Sequence, residues 1–147
     1  MINFNTGTNV PLTTPIVGEI HKVLMKLYRE PEIIQLLSDH IYDFFGVNNI
    51  EKFVFDDGKM YFEVTYRNMV IDPSNMIHIF CNLLVRAYFS PGYRLLMGDT
   101  YNVIGGFVTA NGSFNTDLFN IVSRCVTIFP LPSGEDGINV IRINLHN

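Results

Sequence analysis

The sequence predicts an α+β fold made of an N-terminal helical hairpin, a β-hairpin, a central buried helix and a C-terminal antiparallel set of about three strands. Three observations support this prediction. Apolar residues recur at helical spacing over residues 15–45, they alternate with polar residues on both sides of Asp57-Gly58, and they cover nearly every side of a helix over residues 73–89. We expect one mainly antiparallel sheet on which these helices pack.

The composition favours a subunit with extensive protein contacts. The chain has 147 residues, of which 48% are hydrophobic and 13% aromatic but only 16% charged, whereas an average soluble domain has about 25% charged residues. A chain of this length fits a single domain, which we place at residues 15–147. A larger-than-usual core is one explanation, but a chain this short has limited interior, so a subunit with extensive protein contacts is the more economical one.

Residues 1–14 are predicted to form an extended N-terminal arm. The arm is rich in Asn, Thr and Gly, carries no charged side chain and shows no helical period. Its spaced apolar residues distinguish it from the charged composition of permanently disordered tails. Docking on its own domain and docking on a neighbouring subunit are both open, with Phe4, Val10 and Leu12 as the expected contact residues.

The first two helices are predicted from their terminal signals and apolar faces. Thr14 can cap a helix that has Pro15 at its first position and that ends near Arg29. Pro31 begins a second helix, and Gly46 ends it as the residue after the C-cap. The two together form the predicted helical hairpin.

A β-hairpin follows. Residues 60–67 alternate apolar and polar side chains, and residues 51–55 are their predicted partner strand. Asp57-Gly58 between the two strands is a dipeptide that accepts positive φ in a tight turn.

The central helix is predicted to begin with Asp72 as the N-cap and Pro73 at the first position. Its polar side chains share one narrow face, which we call the polar stripe: Asn75, His78, Asn82 and Arg86. Two interpretations are open, a stripe that faces water and a seam between subunits. The candidate interface residues on it are His78, Asn82 and Arg86.

The C-terminal half is predicted to be strand and turn. Strands are expected over residues 101–109, 118–129 and 138–145, and Gly105-Gly106 indicates a bulge or a close backbone approach in the first of them. Residues 130–137 are predicted to form a loop by their Pro and Gly content. Leu131 in this loop is a further candidate contact residue.

The sequence contains no motif that indicates catalysis, a cofactor or a metal. Glycine-rich nucleotide-binding loops, the nucleophile elbow and the zinc-protease helix are absent from the sequence. Cys81 and Cys125 lie in apolar surroundings and are expected to be buried thiols in a reducing compartment. His78 lies three residues before Cys81, but the two belong to different faces of the helix. We therefore predict no catalytic residue, cofactor or metal ligand.

Charge and hydropathy argue against two further classes of partner. The formal net charge is −4, and the ten basic residues are spread along the chain, so we expect no nucleic-acid partner. The central helix is interrupted by His78, Asn82 and Arg86 before it reaches the ~20 apolar residues of a membrane span. No signal peptide is expected at the N-terminus, and the sequence therefore predicts a soluble protein.

Taken together, these features predict a non-catalytic structural or assembly subunit that forms a symmetric homo-oligomer with copies of itself or with other structural proteins. Abundant Asn and Thr with little charge are also typical of virus or phage virion components, such as capsid, neck or tail proteins. The alternative is a small-ligand-binding protein or enzyme with a cleft between the helices and the sheet. The polar groups available to such a cleft are Tyr61, Arg67, His78, Arg86 and Arg94.

Overall fold

A computed structural model describes residues 14–131 and 134–145. Within these residues the α+β fold is confirmed, with helices on one face of a four-stranded antiparallel sheet. The helices are α1 (Thr14–Leu27), α2 (Pro31–Phe45), α3 (Pro73–Tyr88), α4 (Arg94–Met97), α5 (Thr100–Gly105) and α6 (Thr116–Ser123). The strands are β1 (Ile50–Asp56), β2 (Tyr61–Arg67), β3 (Thr127–Leu131) and β4 (Ile138–Asn144).

The two N-terminal helices form as predicted, and each buries its apolar face. Ile20 and Leu24 of α1 and Leu37 of α2 are almost completely buried. Gly46, with a φ of 86°, ends α2, and its amide donates to the carbonyl of Tyr42 at 2.9 Å. The positive φ explains why a glycine stands at this helix end.

The central position of α3 is confirmed. Asp72 caps it, since its carboxylate accepts a hydrogen bond from the backbone amide of Ser74 at 3.0 Å. Nine of its side chains are buried, and Phe80 lies with its ring centroid 6.0 Å from that of Phe62 on the sheet. A helix covered on most sides explains the nearly continuous apolar sequence.

The strand order in the sheet is β1-β2-β4-β3, so β1 and β3 are the edge strands. Along β2, and along β4 from Val140 to Asn144, buried and half-buried residues alternate, which indicates one face packed on the helices and one face more open to solvent. Phe62 on the packed face pairs in register with Phe55 of β1 and Ile143 of β4.

The predicted hairpin between β1 and β2 is confirmed, but the positive φ lies at Met60 (54°) instead of at Gly58. Met60 is 2% exposed, and its carbonyl accepts from the amide of Leu145 at 2.9 Å. Tertiary contacts therefore place the left-handed conformation at Met60, two positions after Gly58, the residue that local turn chemistry favours.

The strand predicted over residues 101–109 is wrong, because this segment contains the short helix α5. The helix places Ile104 in the core, where it is completely buried. The close backbone approach predicted at Gly105-Gly106 is present at Gly105, where an added Cβ would lie 2.8 Å from the hydroxyl of Tyr88.

The single strand predicted over residues 118–129 is also corrected, since α6 occupies its first part and β3 its second. Leu118, Ile121 and Val122 are buried at the spacing of a helix face. The C-terminal half thus contributes β3 and β4, and residues 138–145 contain the predicted last strand.

Pro130 and Leu131 belong to β3, although they were predicted to lie in a loop. Proline is tolerated there because β3 is an edge strand and its backbone amides need a partner on one side only.

Candidate interaction surfaces

A groove of about 860 Å³ lies between α2 and the edge strand β1. We call it the β1 groove. Its apolar side chains come from Pro31 and Ile34 on the helix and from Phe53 and Phe55 on the strand. Its polar side chains are Arg29, Gln35, Ser38 and Asp57.

The apolar side of the β1 groove is held in place by ring packing. The ring of Phe55 stacks on that of Phe62 with centroids 4.6 Å apart, and Phe53 stacks on the same ring at 6.1 Å. Phe62 is completely buried, whereas the two β1 rings are half-buried. The groove is therefore an outward extension of the hydrophobic core.

The predicted contact residues of the arm, Phe4, Val10 and Leu12, lie outside the described residues. The start of α1, where the arm joins the domain, lies near the other edge of the sheet, since the thiol of Cys125 is 3.6 Å from the carbonyl oxygen of Val17. Cys125 shortly precedes β3 in the chain. The first helix therefore begins on the β3 side, across the sheet from the β1 groove.

An aromatic cluster covers the C-terminal end of α3. The rings of Tyr88 and Tyr101 stack with centroids 4.4 Å apart, and the Arg94 guanidinium lies 4.5 Å from the Tyr101 centroid. The hydrogen bond to Tyr101 raises the pKa of the Tyr88 hydroxyl, and the charge of Arg94 partly opposes this rise. With Phe89 and Pro91 these residues line a depression of about 260 Å³. Tyrosine and arginine are residue types enriched at protein interfaces.

Gly105→Ala is expected to lower the free energy of unfolding by about 1 kcal/mol, because the new Cβ would lie 2.8 Å from the hydroxyl of the half-buried Tyr88, whose ring then has to shift on Tyr101. Gly18→Ala is the matched control, since Gly18 lies inside α1 and its added Cβ would meet no atom within 4 Å apart from its chain neighbours and the nearby backbone of α1. It is expected to stabilise the protein by about 0.5–1 kcal/mol. Chemical denaturation of both variants checks this prediction, and equal effects would contradict it.

Several large apolar side chains are exposed. Val70 is 96% and Leu95 95% exposed, and smaller exposed fractions are found for Val47, Phe89 and Phe44. Phe89 directly follows Tyr88 of the aromatic cluster in the sequence, and Leu95 directly follows Arg94. Val47 and Val70 follow α2 and β2, and the segments that carry them are joined by a hydrogen bond between Asn68 and Asn49 at 3.3 Å.

The polar stripe of α3 is partly covered by this chain's own side chains. His78 is exposed, and its ring lies 4.9 Å from that of Phe114 and 5.9 Å from that of Phe119. Arg86 is also exposed and donates to the Nε2 atom of His40 at 3.2 Å, while Asn82 is half-buried. An interface role for His78, Asn82 and Arg86 stays a prediction.

Leu131 lies on the more open face of the sheet, in register with Val140 of β4. Near it, the Nε atom of Arg142 donates to the carboxylate of Glu63 at 2.7 Å, and the Arg142 guanidinium lies 4.2 Å from the centroid of the Tyr61 ring. Leu131 is half-buried at the edge of this mixed polar and apolar face. A contact role for Leu131 stays a prediction.

The two thiols are chemically inert in the fold. Cys81 and Cys125 are completely buried and unpaired. Burial raises the pKa of the Cys81 thiol, and it raises the pKa of Cys125 to about 12. Neither side chain is a thiolate near neutral pH, so neither is available as a nucleophile. Within residues 14–131 and 134–145, no group of three or more His, Cys, Asp or Glu side chains could hold a metal ion.

The five residues proposed for a ligand cleft do not come together. Tyr61 and Arg67 lie at opposite ends of β2, and Arg67 pairs with Glu51. The other three lie on the helices: His78 and Arg86 on α3 and Arg94 on α4. No single cleft could use these five side chains.

Sequence reasoning missed the β1 groove and the aromatic cluster. Both consist of residues that are far apart in the chain, and the local signals at these residues indicate only strands and helix ends. Among the described residues, no helix has the length and apolar character needed to cross a bilayer. No protein-family model, curated protein or solved structure matches the chain.

Proposed function

We propose that the chain is a non-catalytic assembly subunit that forms a symmetric homo-oligomer. The observation that carries this proposal is the nearly complete exposure of Val70 and Leu95, at 96% and 95%. Single exposed apolar residues are common on protein surfaces. Here they accompany three further exposed large apolar side chains in a chain with only 16% charged residues.

Interfaces between subunits account for the exposed apolar side chains and the low charge. Burial of a Val or Leu side chain contributes about 1.5–3 kcal/mol, a gain that Val70 and Leu95 do not obtain in the single chain. The aromatic cluster beside Leu95 adds Tyr, Phe and Arg, which are over-represented in interface cores. The edge strands β1 and β3 add two rows of backbone groups that a neighbouring chain can pair with.

The two sides of the sheet differ, which favours a head-to-tail contact. The β1 side carries the β1 groove, and the β3 side carries the start of α1. A contact between unlike surfaces repeats from copy to copy and gives a ring when the rotation closes. The narrower prediction of a virion component rests on composition and stays a prediction.

The solution mass tests the proposal. Light scattering after size exclusion is expected to give a discrete multiple of the chain mass of 16.8 kDa. A monomer at every concentration would contradict self-assembly.

A further inference from the structure

We infer that the β1 groove receives the N-terminal arm of a neighbouring copy of this chain, paired with the edge of β1. This inference rests on the proposed function, because it names one of the contacts through which the copies join. The occupant is residues 2–12 of the arm. Three properties of the groove and of the chain support it: shape, charge and reach.

The surface of the β1 groove matches an extended apolar segment. The groove places the side chains of Ile34, Phe53 and Phe55 next to a strand edge. A peptide added to such an edge gains backbone hydrogen bonds, and its alternate side chains enter the adjacent pocket. In the arm, Ile2 and Phe4 are two residues apart, and so are Val10 and Leu12. In an extended segment the two side chains of each pair therefore point to the same side.

The charges of the β1 groove suit an uncharged occupant. Arg29 and Asp57 line it with opposite signs, and residues 1–14 contain no charged side chain. An uncharged segment can therefore cover the apolar rings without burying an unpaired charge of its own. A nucleic acid or a strongly charged peptide would lack a matching field in this groove.

Reach limits which part of the arm can dock within its own chain. The 14 residues of α1 span about 20 Å from Thr14 towards Arg29 at the groove. Leu12 lies two residues before Thr14 and can reach about 7 Å, and Val10 lies four residues before it and can reach about 14 Å. In its own chain, neither Val10 nor Leu12 extends to the groove, whereas Phe4 lies ten residues before Thr14, can reach about 33 Å and does extend to it. Only an arm from a neighbouring copy can bring Val10 and Leu12 to the groove, and the self-assembly proposed above favours the same exchange for Phe4.

The same contact explains how the copies repeat. In each copy α1 begins on the β3 side, and the β1 groove lies on the opposite side of the sheet. Each copy then gives one arm and receives one arm. This is a contact between unlike surfaces that can close into a ring.

Disulfide trapping between two singly substituted chains tests the inference. Phe4→Cys and Ser38→Cys chains, one of them with a C-terminal affinity tag, are mixed, allowed to exchange subunits and oxidised. Ser38 lines the β1 groove, and the native Cys81 and Cys125 are too deeply buried to compete. We expect a covalent heterodimer whose peptide map joins positions 4 and 38, which only arms exchanged between chains can give.

Ser123→Cys is the matched control. Ser123 lines a smaller groove of about 310 Å³ beside the opposite edge strand, β3. The Phe4→Cys chain is expected to trap Ser38→Cys about tenfold more efficiently than Ser123→Cys, because only docked positions have a high effective concentration. Preferred trapping at position 123 would overturn the inference.

The double variant Phe4→Cys/Ser38→Cys tests docking within one chain. An intramolecular link in this variant, without a heterodimer in the mixture, would also overturn the inference. Light scattering of the same samples separates the two proposals. An oligomer without a 4–38 link contradicts the exchanged arm alone, whereas a monomer without that link contradicts self-assembly as well.

Discussion

Replacement of Phe62 by alanine is expected to lower the free energy of unfolding by about 3–5 kcal/mol. The Phe62 ring is completely buried, and it lies against Phe55 of the edge strand, Tyr28 at the end of α1 and Phe80 of α3. Its loss would leave a cavity where the sheet, the first helix and the central helix meet. Denaturant unfolding followed by circular dichroism measures the change.

Phe129→Ala is the matched control for Phe62→Ala. Phe129 is half-buried on the edge strand β3, in register with Arg142 on the more open face of the sheet. A loss of about 1 kcal/mol is expected there. Both variants are measured at one fixed, low protein concentration, since self-association adds to the apparent stability. Similar losses at the two positions would contradict the role of Phe62 at the centre of the core.

The double variant Val70→Glu/Leu95→Glu is expected to weaken self-association by about 3 kcal/mol, which raises the dissociation constant by about 100-fold. In the single chain both side chains are almost fully exposed. The stability of the monomer should therefore change by no more than about 0.5 kcal/mol. Sedimentation velocity over a range of concentrations gives the dissociation constant, and thermal unfolding gives the stability.

Lys22→Glu is the control for the double variant. It changes the net charge by the same amount, and Lys22 is an exposed residue of α1. This control is expected to assemble like the original protein. An unchanged dissociation constant in the double variant would remove Val70 and Leu95 from the interface.

Local signals in the sequence predict much of the fold correctly. Asp72 and Pro73 predict the start of α3, and Pro31 and Gly46 predict the limits of α2. The alternation along β2 predicts the packed face of the sheet. Each of these features is determined by a few neighbouring residues, so that the sequence alone indicates it.

The prediction fails where tertiary packing overrides composition. Residues 100–105 have side chains typical of strands, yet they form α5 because a helix buries Ile104 and allows Gly105 to approach Tyr88. For α6 a usable signal was present. Asn115 caps the helix, accepting from the amide of Leu118 at 3.1 Å, and Asp117 follows in the first turn.

The interaction surfaces are less predictable than the fold. The β1 groove joins Ile34 on a helix to Phe53 on a strand, and no local pattern indicates that their exposed surfaces will be adjacent. Likewise, the exposure of Val70 and Leu95 depends on which side chains the folded domain leaves uncovered. The sequence can predict an excess of apolar residues but not their location on the surface.

The solution mass, measured by light scattering after size exclusion over a hundredfold range of protein concentration at low and high salt, tests self-assembly most directly. Apolar contacts resist screening by salt, whereas contacts between exposed charges weaken. We expect one discrete oligomer that persists at high salt. A chain of 16.8 kDa that stays monomeric at every concentration would contradict the account, as would an oligomer that dissociates when salt is added.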